Sequence, residues 1–238
     1  MNDHRLFLPF VGLMISVCWT GHLLLEKAST LFGSRKLFYR RTAPVIIMIL
    51  LVYAYGTHQR NNVWHTEESL WKDVTIKSPK NGRGLMNYGL VLMRKGDYAG
   101  AEKYFARALP LVPYYPTLYI NMGIVKAATD QDDLAESYFI KAVILNPTSP
   151  DSYYYYADFL RTRKRYHLAE RYARKALLLA PASLDARKLL MSLYLERGQF
   201  KNLKILAAQT SRIAPDDKEV KGYLTAAIKG AASADINP

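Results

Sequence analysis

The 238-residue chain has a single cysteine, Cys18, which excludes a disulfide framework and a cysteine-based zinc site. It also lacks a Gly-rich phosphate loop, a serine nucleophile elbow and a His-x-x-x-His pair. Asp130, Asp132 and Asp133 are not followed by the glycine and glutamate that a calcium loop needs, and they read as helix-start acids. The chain is therefore expected to carry no catalytic residue, metal or cofactor. Acidic residues are scarce at the front: residues 1–60 hold two against seven Lys/Arg, while residues 61–238 hold 18 against 26. Apolar residues make up 50%, which excludes a disordered, solvating chain.

Leu6 to Leu25 runs without a formal charge, and at ~1.5 Å per residue such a helix matches the hydrocarbon thickness of a bilayer. Pro9 lies near its start and Trp19 near its end. A shorter run, Ala43 to Thr57, follows; alone it is marginal for a span, and a buried or re-entrant helix is the alternative. Tyr53, Tyr55 and Arg60 suit an interface. Residues 26–42 between the runs carry Lys27, Arg35, Lys36, Arg40 and Arg41 against Glu26, whereas the flank before the first run has Arg5. Short basic loops stay cytoplasmic, so the pattern predicts a hairpin with both ends on the far side: periplasm in a bacterium, lumen or exterior in a eukaryote. Asp3 and the missing small-residue site argue against a cleaved signal. Much of the +13 charge is thereby topology, and nucleic acid is not needed to explain it.

Pro79, Pro113, Pro147, Pro181 and Pro215 stand 34 residues apart. Ala101, Ala135 and Ala169 share the period, as do Ala108, Ala142 and Ala176, the pair Gly89 and Gly123, and the pair Phe105 and Phe139. Small residues let two helices approach closely, aromatics fill the wider gaps, and the proline ends the second helix because it cannot donate a helical hydrogen bond. Gly96 and Gly198 fall in the intervening turn, where positive φ is needed.

This pattern resembles the tetratricopeptide repeat family. The fold class expected is all-α, a two-helix transmembrane hairpin followed by a right-handed tetratricopeptide α-solenoid. The expected layout is a hairpin at 1–60, a connecting half-repeat helix within 61–81, four units at 82–115, 116–149, 150–183 and 184–217, and a capping helix with a frayed tail at 218–238. The fourth unit departs from the pattern, with Met191 and Leu203 at the small positions.

The resemblance implies a concave groove lined by the first helix of each pair, binding an extended peptide or a partner helix. Its expected surface includes Arg83, Met86, Asn87, Leu90, Ile120, Asn121, Ile124, Tyr154, Asp158 and Arg161. Asn87 and Asn121 share one helix position and suit a peptide backbone, with a packing role as the alternative. Met86 stands where the family's carboxylate clamp has lysine, against an acidic C-terminal ligand. Tyr153 and Tyr156 of the four-tyrosine run fall on packing positions; Tyr154 and Tyr155 face the groove or its rim. Arg161, Arg163, Lys164 and Arg165 read as a solvated basic turn, with phosphate contact as the alternative. His22 is a functional candidate by being ionisable within a span.

The front half, with His4-Arg5-Leu6-Phe7-Leu8-Pro9-Phe10, a hairpin, Arg60-Asn61, Trp64 and Trp71, resembles the tail of polytopic bacterial proteins similar to C-fold glycosyltransferases, including O-mannosyltransferases with repeats. That implies a scaffold in the inner membrane, its repeats periplasmic, gathering a protein partner or a glycosylation acceptor. The expected partners are a protein or peptide, the lipid bilayer and a polytopic membrane protein. Two alternatives stand beside it: a non-catalytic C-terminal part or subunit of a lipid-carrier-dependent glycosyltransferase, and an accessory of pilus or secretion assembly.

Overall fold

The computed structural model describes residues 4–31 and 35–234, which are helices and short turns with no strand among them. Expectations placed on Met1–Asp3, on positions 32–34 and 235–238, and on the side chains of Arg5, Pro9, Arg35 and Arg60 lie outside the described residues. The chain divides after His65 into two compact units.

The first unit is a pair of contacting helices, α1 (His4–Leu31) and α2 (Arg35–Asn62). Both expose large apolar side chains: Ile15, Val17, Trp19 and Leu24 on α1, and the run from Val45 to Tyr55 on α2. Phe38–Gln59, 22 residues and almost entirely unburied, is long and apolar enough to cross a bilayer. That stretch is longer than the 43–57 run read from composition, because the helix continues through Pro44 at one end and Thr57 at the other.

The second unit opens with α3 (Glu67–Lys77), whose first turn is closed by a capping box between Thr66 and Ser69. Four helix pairs follow: α4 (Gly82–Arg94) with α5 (Tyr98–Ala108), α6 (Pro116–Ala128) with α7 (Asp132–Leu145), α8 (Pro150–Thr162) with α9 (Tyr166–Leu179), and α10 (Leu184–Glu196) with α11 (Phe200–Ile213). Helix α12 (Lys218–Ala234) packs on α11 and runs past Ala231, where the sequence suggests fraying. Asn81, Asp97 and Ser183 cap their helices, while Pro116 and Pro150 occupy first positions, where no donor is missed.

Three devices repeat with the period. The tight turn between the helices of a pair needs a left-handed residue, and Gly96 (φ 82°) and Gly198 (φ 65°) supply it. Asp130 (φ 56°) and Lys164 (φ 57°) hold the same position in the middle units, at a steric cost glycine avoids. Lys164→Gly is expected to raise stability by ~0.5–1 kcal/mol, read as a higher urea midpoint, since among the described residues this exposed side chain has no hydrogen-bond or ion-pair partner to offset the strain. Next, the proline's carbonyl is taken up by the following helix: Tyr119 Oη donates to Pro113 O (2.8 Å), Tyr153 Oη to Pro147 O (3.0 Å) and Arg187 Nε to Pro181 O (2.9 Å).

Last, the first two pairs close on a small–large contact. A Cβ on Gly89 would lie 2.6 Å from the Phe105 ring, and one on Gly123 would lie 2.9 Å from the Phe139 ring. The same two register positions hold Ala157 and Ala173 in the third pair and Met191 and Ala207 in the fourth. All four of those side chains are fully buried. In the fourth pair Met191 on the first helix faces a position where the second helix has Ala207 in place of phenylalanine, while Leu203 on the second helix replaces the alanine of the other pairs and is itself fully buried.

The first helices touch in succession, α4 on α6, α6 on α8, α8 on α10 and α10 on α12, while among the described residues no second helix packs comparably on the next second helix. The solenoid therefore turns its first helices inward and splays its second helices outward.

Candidate functional site

An inward-facing pocket of about 320 Å³ lies among α8, α10 and α12. Tyr154, Asp158 and Arg161 come to it from α8; Asp185, Lys188, Leu189 and Ser192 from α10; Glu219 and Tyr223 from α12. The repeat aligns them: Lys188 follows Tyr154 by one period, Ser192 follows Asp158, Glu219 follows Asp185 and Tyr223 follows Leu189.

Both cations are committed. Lys188 Nζ stands 2.8 Å from Asp217 Oδ2 and 2.8 Å from Glu219 Oε2. These hydrogen bonds hold the Lys188 ammonium above its ordinary range and Asp217 below its own. Arg161 reaches Asp158 and Glu196, each at 3.0 Å. Asp185 is exposed and has no ion-pair partner among the described residues. Burial, then the neighbouring carboxylates, raise the pKa of Tyr154, Tyr155 and Tyr223, so their hydroxyls stay protonated and can donate. The pocket thus offers one uncommitted carboxylate beside tyrosine rings, a setting for a lysine or arginine side chain.

The other sequence-predicted residues are spread along the inner helices. Arg83 is exposed, its guanidinium 5.4 Å from the Tyr115 ring centroid. Asn87, Leu90 and Ile124 are half-buried. Met86 and Ile120 belong to the packed cores and leave the accessible surface, because their helix positions turn toward the neighbouring pair. Asn121 is 5% exposed and its Nδ2 has no partner among the described residues. A ligand reaches that amide only if the side chain swings out.

The basic turn of the third pair is not free in solvent. Arg163 forks onto Asp132 (2.6 and 2.7 Å) and donates to Ala127 O (3.0 Å), and Arg165 meets Glu136 at 2.6 Å. The Arg165 contact belongs to a ladder. Glu68, Glu102, Glu136 and Glu170 stand 34 apart and pair with Lys95, Lys126, Arg165 and Arg197, each in the next helix pair along the chain. Asp185, Lys188, Glu219 and the glutamate ladder were not among the residues predicted. Adding one period to Tyr154 and Asp151, and following Glu102 forward, would have found them. His22 is exposed on α1 with its ring 6.4 Å from that of Trp19.

Residues 68–116 match the sequence model of the tetratricopeptide repeat family. The chain is 27% identical over 121 residues to "Protein O-mannosyl-transferase Tmtc3" of Drosophila melanogaster, a match covering 51% of this chain and 12% of the relative's length. Among solved structures, the tetratricopeptide protein TTC0263 of Thermus thermophilus superposes with a TM-score of 0.60 at 17% identity, covering 75% of this chain and 94% of that one. YrrB, described as a tetratricopeptide protein with an unusual peptide-binding site, gives 0.51 at 17%, covering 67% and 91%. Pseudomonas aeruginosa pilF gives 0.52 at 22%, covering 65% and 71%. At these identities the structures share the helical-repeat fold with this chain.

Proposed function

We propose that the chain is a bilayer-anchored tetratricopeptide scaffold whose inner face takes an extended peptide from a protein partner, with a basic side chain of that peptide in the α8–α10–α12 pocket. The observation that carries this is the uncommitted Asp185 beside Tyr154 and Tyr223 in a pocket otherwise neutralised by its own ion pairs. A pocket of this size suits one long side chain rather than a folded element. The peptide-binding site named for YrrB, a protein of the same fold, supports the mode.

The test uses short Ala/Ser peptides, each with lysine, arginine, glutamate or leucine at its centre, titrated by fluorescence anisotropy. Lysine- or arginine-centred peptides are expected to bind best, and Asp185→Lys is expected to weaken them by about tenfold or more. Equal binding of the glutamate peptide, or an unchanged affinity in Asp185→Lys, would remove the reading.

The anchor is the α1–α2 hairpin. Its support is the exposed, apolar Phe38–Gln59 helix, the apolar run of α1 and the basic residues 26–42 between them, which on the positive-inside rule stay cytoplasmic and leave the repeats on the other face. In a bacterium this is the inner membrane with the repeats in the periplasm. Proteolysis of spheroplasts is expected to digest the repeats while sparing 26–42. Digestion only after the membrane is broken would reverse the topology.

A second reading has a specific observation in its favour. The similarity to the Drosophila O-mannosyl-transferase covers half of this chain, and it supports service to protein glycosylation as a non-catalytic part or subunit of a lipid-carrier-dependent transferase. Loss of protein mannosylation on deletion, with co-purification of a polytopic membrane partner, is the expected result; intact mannosylation would leave the scaffold reading alone.

A further inference from the structure

The second helices of the four pairs carry a charge distribution that the pocket does not use and the fold uses only in part, through Arg174 on Glu170 and Tyr194 and Arg107 on Tyr104. Across α5, α7, α9 and α11 the exposed positions hold nine lysines and arginines against two aspartates, both at the start of α7. The glutamates of these helices offset one of the nine: Glu170 takes Arg174 at 2.9 Å as well as Arg197, while Glu102 and Glu136 are spent on the ladder. Lys141, Arg171 and Lys175 have no carboxylate partner among the described residues.

Large aliphatic side chains are interleaved with these cations. Lys141 is followed three residues later by Ile144 (66% exposed), and Lys175 by Leu178 (71% exposed). Residues three apart are neighbours on one helix face, and the 34-residue period sets the α9 pair in the same place as the α7 pair. The outer side of the solenoid therefore presents a row of cations beside a row of aliphatics. Water solvates the first well and the second badly.

A surface with negative charge outside and hydrocarbon just beneath satisfies both rows at once. Lysine and arginine pair with anionic headgroups, and isoleucine and leucine enter the headgroup–acyl boundary. A nucleic acid would satisfy the cations but leave the aliphatics in water, and the exposed positions of these helices hold no phenylalanine, tyrosine or tryptophan for base stacking.

We propose that the outer face of α7 and α9 is a peripheral docking surface for anionic lipid headgroups. The inference is independent of the peptide pocket. It draws on the anchored reading only for proximity, since a chain held at a bilayer meets its headgroups at high effective concentration. With Cys18→Ser in the background, Leu178→Cys carries an environment-sensitive dye on the full chain, reconstituted in phosphatidylcholine vesicles with or without phosphatidylglycerol. The expected result is a blue-shifted emission with phosphatidylglycerol only, reversed by high salt. Combined Lys141→Glu, Arg171→Glu and Lys175→Glu should reduce the shifted population about tenfold or more.

These three positions are exposed, so the thermal midpoint should be unchanged and the loss cannot be unfolding. Vesicles that float with the protein while the dye stays aqueous would overturn the docking surface and leave the anchor intact. Flotation with phosphatidylglycerol vesicles alone would support the docking surface and sink the anchor, and absence of flotation with either lipid would sink both. A dye response to duplex DNA in place of vesicles, with none to phosphatidylglycerol, would also overturn the proposal.

Discussion

Phe139→Ala is expected to lower the stability of the repeat unit by ~3–5 kcal/mol, the range for emptying a buried aromatic site. Phe139 is 1% exposed and joins the second pair to the third: its ring lies 6.1 Å from Tyr156 and 5.2 Å from Phe159 by centroid. The deletion therefore removes contacts within one pair and between two, and in a solenoid the coupling between neighbours is what makes the array unfold together. The facing Gly123 gives the prediction a sharper form. Gly123→Ala alone should destabilise, because its methyl would come within 2.9 Å of the Phe139 ring. In the Phe139→Ala background the same change should stabilise, because the ring is gone and alanine is the better helix former by ~1 kcal/mol. Urea titration of the four proteins measures this. The pair Ala157 and Ala173 at the same register positions shows that the fold accepts two alanines there. Additive effects of the two substitutions would mean that Gly123 and Phe139 do not face each other.

That contact also shows how far the sequence carried. The prolines, alanines and glycines at a fixed period were enough for the all-α repeat, because each is a steric statement: no donor, little bulk, or free φ. What could not be read was compensation. Met191 looks like a loss of the pattern until Ala207 is placed opposite it, and the left-handed Asp130 and Lys164 look like ordinary turn residues because their types do not announce positive φ. Long side chains were the least legible. Arg163 and Arg165 read as a solvated turn, since nothing local shows that Asp132 and Glu136 of the previous pair point at them. The four tyrosines at 153–156 show the same limit: Tyr153 holds a proline carbonyl, Tyr154 lines the pocket, Tyr155 is exposed and Tyr156 meets Glu136. For the groove, Tyr154, Asp158 and Arg161 do converge, while Met86 and Ile120 went into the core because one helix position separates the inner face from the packed one.

Glu136→Ala is expected to cost ~1–3 kcal/mol at neutral pH, and to remove part of the unit's acid sensitivity with it. One Glu136 oxygen accepts from Arg165 at 2.6 Å and the other from Tyr156 Oη at 2.6 Å. Tyr156 is 3% exposed, so truncating Glu136 takes the acceptor from a hydroxyl in a largely buried ring, and that is the larger share of the cost. The Arg165 pair is more open and adds ~0.2–1 kcal/mol. The hydrogen bond from Arg165 outweighs the opposing effect of burial and holds the Glu136 carboxyl below the usual glutamate range, with the Tyr156 hydroxyl lowering it further. A carboxyl with a lower pKa folded than unfolded binds fewer protons in the folded state. Its contribution is complete above the unfolded glutamate pKa and drains away below about pH 5, as pH falls through the folded value. Urea midpoints of the unsubstituted protein should therefore fall more steeply than those of Glu136→Ala between neutral pH and acid, and the two curves should converge. Glu136→Gln keeps an acceptor for Tyr156 and removes the charge, so it should lie between them at neutral pH. Parallel curves for all three proteins would show that the Glu136 carboxylate does not couple the second pair to the third.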